Sequence, residues 1–131
     1  MERSETLVQG SPAWRELRLG KITASRFKDV LTEPRSKADK EAGKLSVTAQ
    51  SYQLELGAEI LTGLDDSLPP TRAMEWGTEN EPAARQLYSR VTGLEVREVG
   101  FVEHPLDPMI GGSPDGLVGR LGGIEVITFD E

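Results

Sequence analysis

Apolar residues along this chain fall at helical spacings over its first two thirds and in short alternating runs over its last third. Ser11-Pro12 has the form of a helix start, a capping hydroxyl ahead of a proline at the first helical position, and Trp14 and Leu17 continue an apolar stripe towards Gly20. Thr23 predicts the cap of a second helix with Phe27, Val30 and Leu31 on one face, ending before Pro34. From Val47 to Leu61 the residues Tyr52, Leu56 and Ile60 recur every fourth position and Gly63 supplies a stop, which reads as the longest helix. Beyond Pro69-Pro70, Thr78 and Glu81 form a T-x-x-E capping box ahead of Ala84, Leu87, Tyr88 and Val91, with Gly93 as terminator. Residues 33–46 carry charge without an apolar period and read as a flexible polar loop.

Strand character then takes over. Val96 to Val102, Met109 to Gly112, Leu117-Val118 and Ile124 to Phe129 are short runs separated by Gly and Pro. Helices followed by a small β-meander predict an α+β fold, and a length of 131 residues predicts one domain spanning 1–131.

Charge changes the picture more than composition does. The chain is acidic, with a formal net charge of −7, yet residues 1–50 hold ten Lys/Arg against seven Asp/Glu, and residues 51–131 hold five against fifteen. A basic arm beside an acidic half suits a protein that grips phosphate with one part and holds cations with the other; a solvated acidic surface explains the same numbers. The absence of cysteine removes disulfides and thiolate metal sites, which agrees with a reducing cytoplasm, and no apolar run reaches the length of a membrane span.

The chemistry concentrates in Gly112-Ser113-Pro114-Asp115-Gly116 and in Ile124-Glu125-Val126-Ile127, joined by a glycine-bearing turn. As a hairpin, these two segments bring Asp115 and Glu125 near enough to share a hard cation such as Mg²⁺. Each residue has a plainer reading: Ser-Pro-Asp-Gly is a good β-turn, and Glu81 serves the capping box without any metal.

Four segments together resemble the lambda-exonuclease, or YqaJ recombinase, family. They are Trp14-Arg15-Glu16-Leu17-Arg18-Leu19-Gly20-Lys21-Ile22-Thr23-Ala24-Ser25, Glu33-Pro34-Arg35-Ser36, Trp76-Gly77-Thr78-Glu79-Asn80-Glu81 and Ser113-Pro114-Asp115-Gly116-Leu117, in the family's order and at similar spacings. The resemblance implies a PD-(D/E)xK nuclease core that degrades linear duplex DNA from the 5′ end with Mg²⁺, Mn²⁺ being an alternative, and that works with a single-strand annealing protein in phage recombination. It also implies a homotrimeric ring and a bacterial cytoplasm as the setting. Carried over by match, Asp115 and Glu125 resemble the metal-binding carboxylates, Glu81 helps directly or through a water, and the Val126 carbonyl is a further ligand. Arg18 resembles the residue that binds the DNA 5′-phosphate, with Ser25 as its hydroxyl partner. Arg35 resembles an arginine at the mouth of the DNA channel, and Met74 sits where the family places an apolar wedge.

The sequence departs from the family at one decisive position. The family motif continues Glu-x-Lys, whereas here Glu125-Val126 is followed by Ile127. Alternation along a strand puts position 127 on the same face as Glu125, so Ile127 replaces the lysine within the active site. Loss of one such preorganised group costs about 10²–10³ in rate. No Lys or Arg follows Arg120, so a substitute cation has to come from elsewhere in the fold. The chain also stops where the family continues, which reads as a truncated N-terminal part, without the surfaces that close a trimer. The expectation is an impaired nuclease; the alternative is a non-catalytic module that binds DNA ends or a full-length nuclease subunit.

Overall fold

A computed structural model describes residues 7–65 and 68–129. The chain divides into two compact units, one formed by Gly10–Asp65 and Glu103–Gly112, the other by Met1–Gln9, Asp66–Val102 and Ser113–Glu131. Mixed helices and small sheets make the fold α+β.

The first unit opens with α1 (Pro12–Arg18), whose cap is Ser11: its hydroxyl accepts from Trp14 N at 3.2 Å. Ile22–Thr23 then forms a short strand, β1, rather than the start of a helix, and Ala24–Arg26 makes a single 3₁₀ turn before α2 (Phe27–Leu31). The predicted Thr23 cap is therefore corrected. Thr23 makes no capping hydrogen bond with its side chain; its backbone N–H donates to the Tyr52 hydroxyl at 3.2 Å.

The predicted flexible loop at 33–46 also needs correction, because Lys37–Glu41 forms a helix, α3. Ser36 caps it through Asp39 N at 3.1 Å, and the Lys40–Glu33 and Lys44–Asp39 ion pairs tie its ends. Local capping and charge pairing substitute for the missing apolar period.

Helix α4 (Val47–Thr62) starts at a Ser46 cap and ends at Gly63, whose φ of 66° is the left-handed stop expected of it. It buries Ala49 and Tyr52, whereas Ile60 stays exposed. Tyr52 is the centre of this unit: its hydroxyl also donates to the Lys21 carbonyl at 3.5 Å, and the Arg26 guanidinium lies 4.3 Å above its ring. Gly20 closes the unit on its other side, its N–H donating to the Glu59 carboxylate at 2.7 Å. With φ at 69°, and with any Cβ only 2.4 Å from Ile60 Cγ1, no larger residue fits there.

The second unit is built on α5 (Arg72–Thr92), which at 21 residues is longer than α4 at 16, so the expected ranking is reversed. It begins six residues ahead of the predicted Thr78 cap. Thr71 is the cap, accepting from Met74 N at 3.3 Å, and Thr78 instead donates to the Met74 carbonyl in mid-helix. The helix continues through Pro82 to Gly93, which stops it at a φ of 73°.

The strands are shorter than their predicted runs: β2 (Val96–Arg97), β3 (Val102–His104), β4 (Asp107–Gly112), β5 (Gly116–Val118) and β6 (Gly122–Ile124). They form two three-stranded sheets, ordered β1-β4-β3 and β2-β5-β6, not one meander. β1 joins β4 in parallel, with Ile22 opposite Ile110. In the other sheet β5 lies between β2 and β6, antiparallel to both. Phe101 is fully buried and Val99 nearly so, which makes them the apolar centre of the second unit. The predicted strand at Ile124 to Phe129 is corrected: pairing stops at Ile124, although burial still alternates to Phe129.

Candidate active site

The β5–β6 register sets the geometry. Gly116 pairs with Ile124, so Asp115 and Glu125 face each other one step beyond the ladder, Asp115 just before β5 and Glu125 just after β6. The hairpin expected from the sequence is thus present, with Gly119 turning it at a φ of 59°. Gly116 has to be glycine here: a Cβ would come within 2.4 Å of Val96 Cγ1 and 3.0 Å of Ile124 Cγ1.

Asp115 is held from several directions. Its Oδ2 accepts from Val126 N at 2.6 Å, which locks the carboxylate against the chain that follows Glu125. Its carbonyl accepts from Arg85 Nη1 at 3.1 Å. The preceding Pro114 carbonyl accepts from Gln9 Nε2 at 3.0 Å, and the same amide also donates to the Val99 carbonyl.

Glu81 completes the cluster from α5. Freed from the capping role by the earlier helix start, its carboxylate accepts from Arg85 Nη1 at 3.4 Å, one turn further along the helix. Burial pushes the Glu81 carboxyl above its ordinary range and the charge of Asp115 pushes it further, against the opposing pull of Arg85. Burial likewise raises Glu125, followed by the charge of Asp115, a hydrogen bond with Asp115 and the charge of Glu81. The charge of Asp115 thus bears on both Glu81 and Glu125, and that of Glu81 on Glu125, an arrangement whose charge a divalent cation would offset.

The donor chemistry fits such an ion in a specific way. Among the described residues, no three His, Cys, Asp or Glu side chains are grouped so as to hold an ion by themselves. What exists is a facing pair, Asp115 and Glu125, with Glu81 acting on both through its charge. Mg²⁺ is commonly held in this manner, by one or two carboxylates with waters completing the octahedron.

Ile127 lies on the same exposed parity as Glu125 and is 76% exposed. Met74, in the first turn of α5, is 61% exposed. In the other unit, Arg18 at the end of α1 is half-buried, its guanidinium stacked 4.1 Å above the Trp14 ring. Burial holds it below the ordinary arginine value, and its Nε is buried without a hydrogen-bond partner. Ser25 is exposed on the 3₁₀ turn, with its Oγ 3.4 Å from Thr23 Oγ1, and Arg35 is exposed just ahead of α3.

The model of the YqaJ-like viral recombinase domain matches residues 13–130. The chain belongs to the YqaJ-like viral recombinase family. Among solved structures this YqaJ-like chain is similar to the alkaline exonuclease LHK-Exo of Laribacter hongkongensis, at 42% identity. With that protein in complex with dAMP the TM-score is 0.70, covering 88% of this chain and 52% of LHK-Exo. It is also similar to a phage-related exonuclease of Haemophilus somnus 129PT, at 33% identity and a TM-score of 0.56, covering 75% and 43% of the two chains. The YqaJ-like chain therefore spans about half the length of these solved exonucleases. None of the curated proteins matches it.

Two residues of this site were missed in the sequence. Gln9 gave no signal, since its partners are backbone carbonyls distant in sequence. Arg85 did: Glu81 and Arg85 stand at i and i+4, the spacing of a helical ion pair.

Proposed function

We propose that this chain derives from a Mg²⁺-dependent exonuclease that degrades linear duplex DNA from its 5′ end, and that its own activity is severely impaired. The observation that carries this reading is the mutually repelling set of Glu81, Asp115 and Glu125 in a chain similar to solved exonucleases. Asp115, Glu125 and the Val126 carbonyl would hold Mg²⁺ or Mn²⁺, with Glu81 contributing charge directly or through a water. Such an ion supplies a water acidic enough to attack a phosphodiester and offsets the negative charge that develops on phosphate. The chain's residues orient the reactants: Val126 N fixes Asp115, and Arg85 fixes both Glu81 and the Asp115 carbonyl.

Arg18 takes the DNA 5′-phosphate in this reading. The Arg18 guanidinium is stacked over Trp14, and its planar fork of N–H donors suits phosphate oxygens. Ser25, Arg35 and Met74 are assigned supporting contacts with DNA: the hydroxyl partner, a backbone contact and the apolar wedge. The setting is the cytoplasm of a bacterial host, with a single-strand annealing protein as partner and a trimer as the family's assembly. No helix among the described residues is long and apolar enough to cross a membrane.

Impairment follows from Ile127. An alkyl side chain beside Glu125 neither positions a water nor offsets charge, so about 10²–10³ in rate is lost. The same observation favours the second reading, a module that binds DNA ends or a nuclease subunit without cutting. Nucleotide release from a 5′-phosphorylated linear duplex in Mg²⁺ tests the first reading, with Asp115→Ala as control. Slow release that vanishes in the control supports an impaired nuclease; end binding without any release supports the module.

A further inference from the structure

We propose that Arg85 is a positioning residue that fixes the distance between the α5 carboxylate and the Asp115 turn. The inference rests on reading Glu81, Asp115 and Glu125 as a divalent-cation site. Arg85 reaches acceptors on three elements: the Glu81 carboxylate on α5 at 3.4 Å, the Asp115 carbonyl ahead of β5 at 3.1 Å, and the Glu98 carboxylate beyond β2. Its side chain is only 12% exposed, whereas that of Glu98 is 72% exposed, so the buried end of the network is the one that joins Glu81 to Asp115.

The shape of the group matters more than its charge in this arrangement. A guanidinium is a planar fork with five N–H donors and can bridge acceptors that diverge in direction, whereas an ammonium is a point charge on a flexible stem. Arginine also keeps its proton in company where lysine can lose it. Glu81 and Asp115 come from segments more than thirty residues apart, and no strand ladder links α5 to the 113–115 turn. Arg85 supplies that link through the Asp115 main chain and makes no claim on the Asp115 carboxylate, which accepts from Val126 N and faces Glu125. Residues that orient metal ligands from behind typically change metal affinity by about 10–100-fold when removed.

Mn²⁺ titration followed by electron paramagnetic resonance or calorimetry tests this, on the whole chain, without reliance on cutting. The variants are Arg85→Lys, Arg85→Met, Glu81→Gln, Asp115→Asn, and Arg85→Met combined with Glu81→Gln. Both Arg85 variants are expected to weaken Mn²⁺ binding about tenfold, and Arg85→Met to lose most of its effect when Glu81 is already Gln. Melting curves in EDTA identify a variant that fails to fold; Arg85→Lys, which keeps the stem and charge, then carries the test. Parental affinity in Arg85→Lys, or tighter binding in Arg85→Met, overturns the proposal, because charge alone then accounts for Arg85. Equal losses with and without Glu81 overturn it too, since Arg85 then acts by another route. If the parent binds Mn²⁺ no better than Asp115→Asn, the cation-site reading itself fails and the role of Arg85 falls with it.

Discussion

Replacing Glu125 with Gln should make the metal-free protein more stable while abolishing its stabilisation by Mg²⁺. Glu125 faces Asp115 across the end of the β5–β6 ladder and feels the charge of Glu81 as well. Two unit charges about 4 Å apart repel by about 4 kcal/mol at an effective dielectric of about 20. Glu125 is exposed, and solvent screening cuts that to about 1 kcal/mol. Gln removes the repulsion and lets its amide donate to Asp115, so the melting temperature in EDTA at about pH 8 should rise by about 4 °C for a chain of this size. The sign with pH follows from the raised carboxyl of Glu125, whose ordinary value is 4.5. A carboxyl raised in the folded state destabilises it fully above the folded value and not at all below the ordinary one. Acidifying from about pH 8 down to the ordinary carboxyl value of 4.5 should therefore raise the parent's melting temperature, and raise that of Glu125→Gln less. Mg²⁺ at about ten times its dissociation constant should add about 1.4 kcal/mol to the parent and almost nothing to the variant. Circular-dichroism melts with and without Mg²⁺ read all of this. A variant that melts at or below the parent in EDTA would refute the repulsion on which the site's reading depends.

Three further substitutions test other parts of the account. Arg18→Gln should weaken binding to a 5′-phosphorylated duplex end about tenfold or more in fluorescence anisotropy, and leave a 5′-hydroxyl end little affected; equal losses on both ends would remove Arg18 from phosphate recognition. Tyr52→Phe leaves the buried Thr23 N–H without its acceptor and should cost about 1–3 kcal/mol in urea unfolding. Gly116→Ala forces a Cβ against Val96 and Ile124 and should lower the melting temperature by several degrees, for a cost of about 1–3 kcal/mol.

Helix ends were legible where a hydroxyl cap or a glycine stop acts locally, as at Ser11, Gly63 and Gly93, whereas the Ser46 cap went unread inside the supposed polar loop. The same local logic misled at Thr78 and Glu81. A T-x-x-E sequence caps a helix only if the helix begins there, and Thr71 begins it earlier. That single difference turns Glu81 from a cap into a charged neighbour of Asp115. Residues 37–41 were misread because charge pairing leaves no apolar period to find. The partnership of β1 with β4 was beyond reach for another reason: it joins segments nearly ninety residues apart, and two-residue strands carry no readable alternation. Asp115 opposite Glu125 was readable, since one hairpin register decides it. Arg85 was readable only as an ion pair of Glu81; its hold on the Asp115 carbonyl belongs to the tertiary structure.

The most direct test of the central claim is to restore the missing group. Nucleotide release from a 5′-phosphorylated linear duplex in Mg²⁺ should be slow for the chain as it stands, absent for Asp115→Ala, and faster by about 10²–10³ for Ile127→Lys. Release by Ile127→Lys no faster than by the parent would contradict the claim that the cation missing at position 127 limits a nuclease site built on Glu81, Asp115 and Glu125.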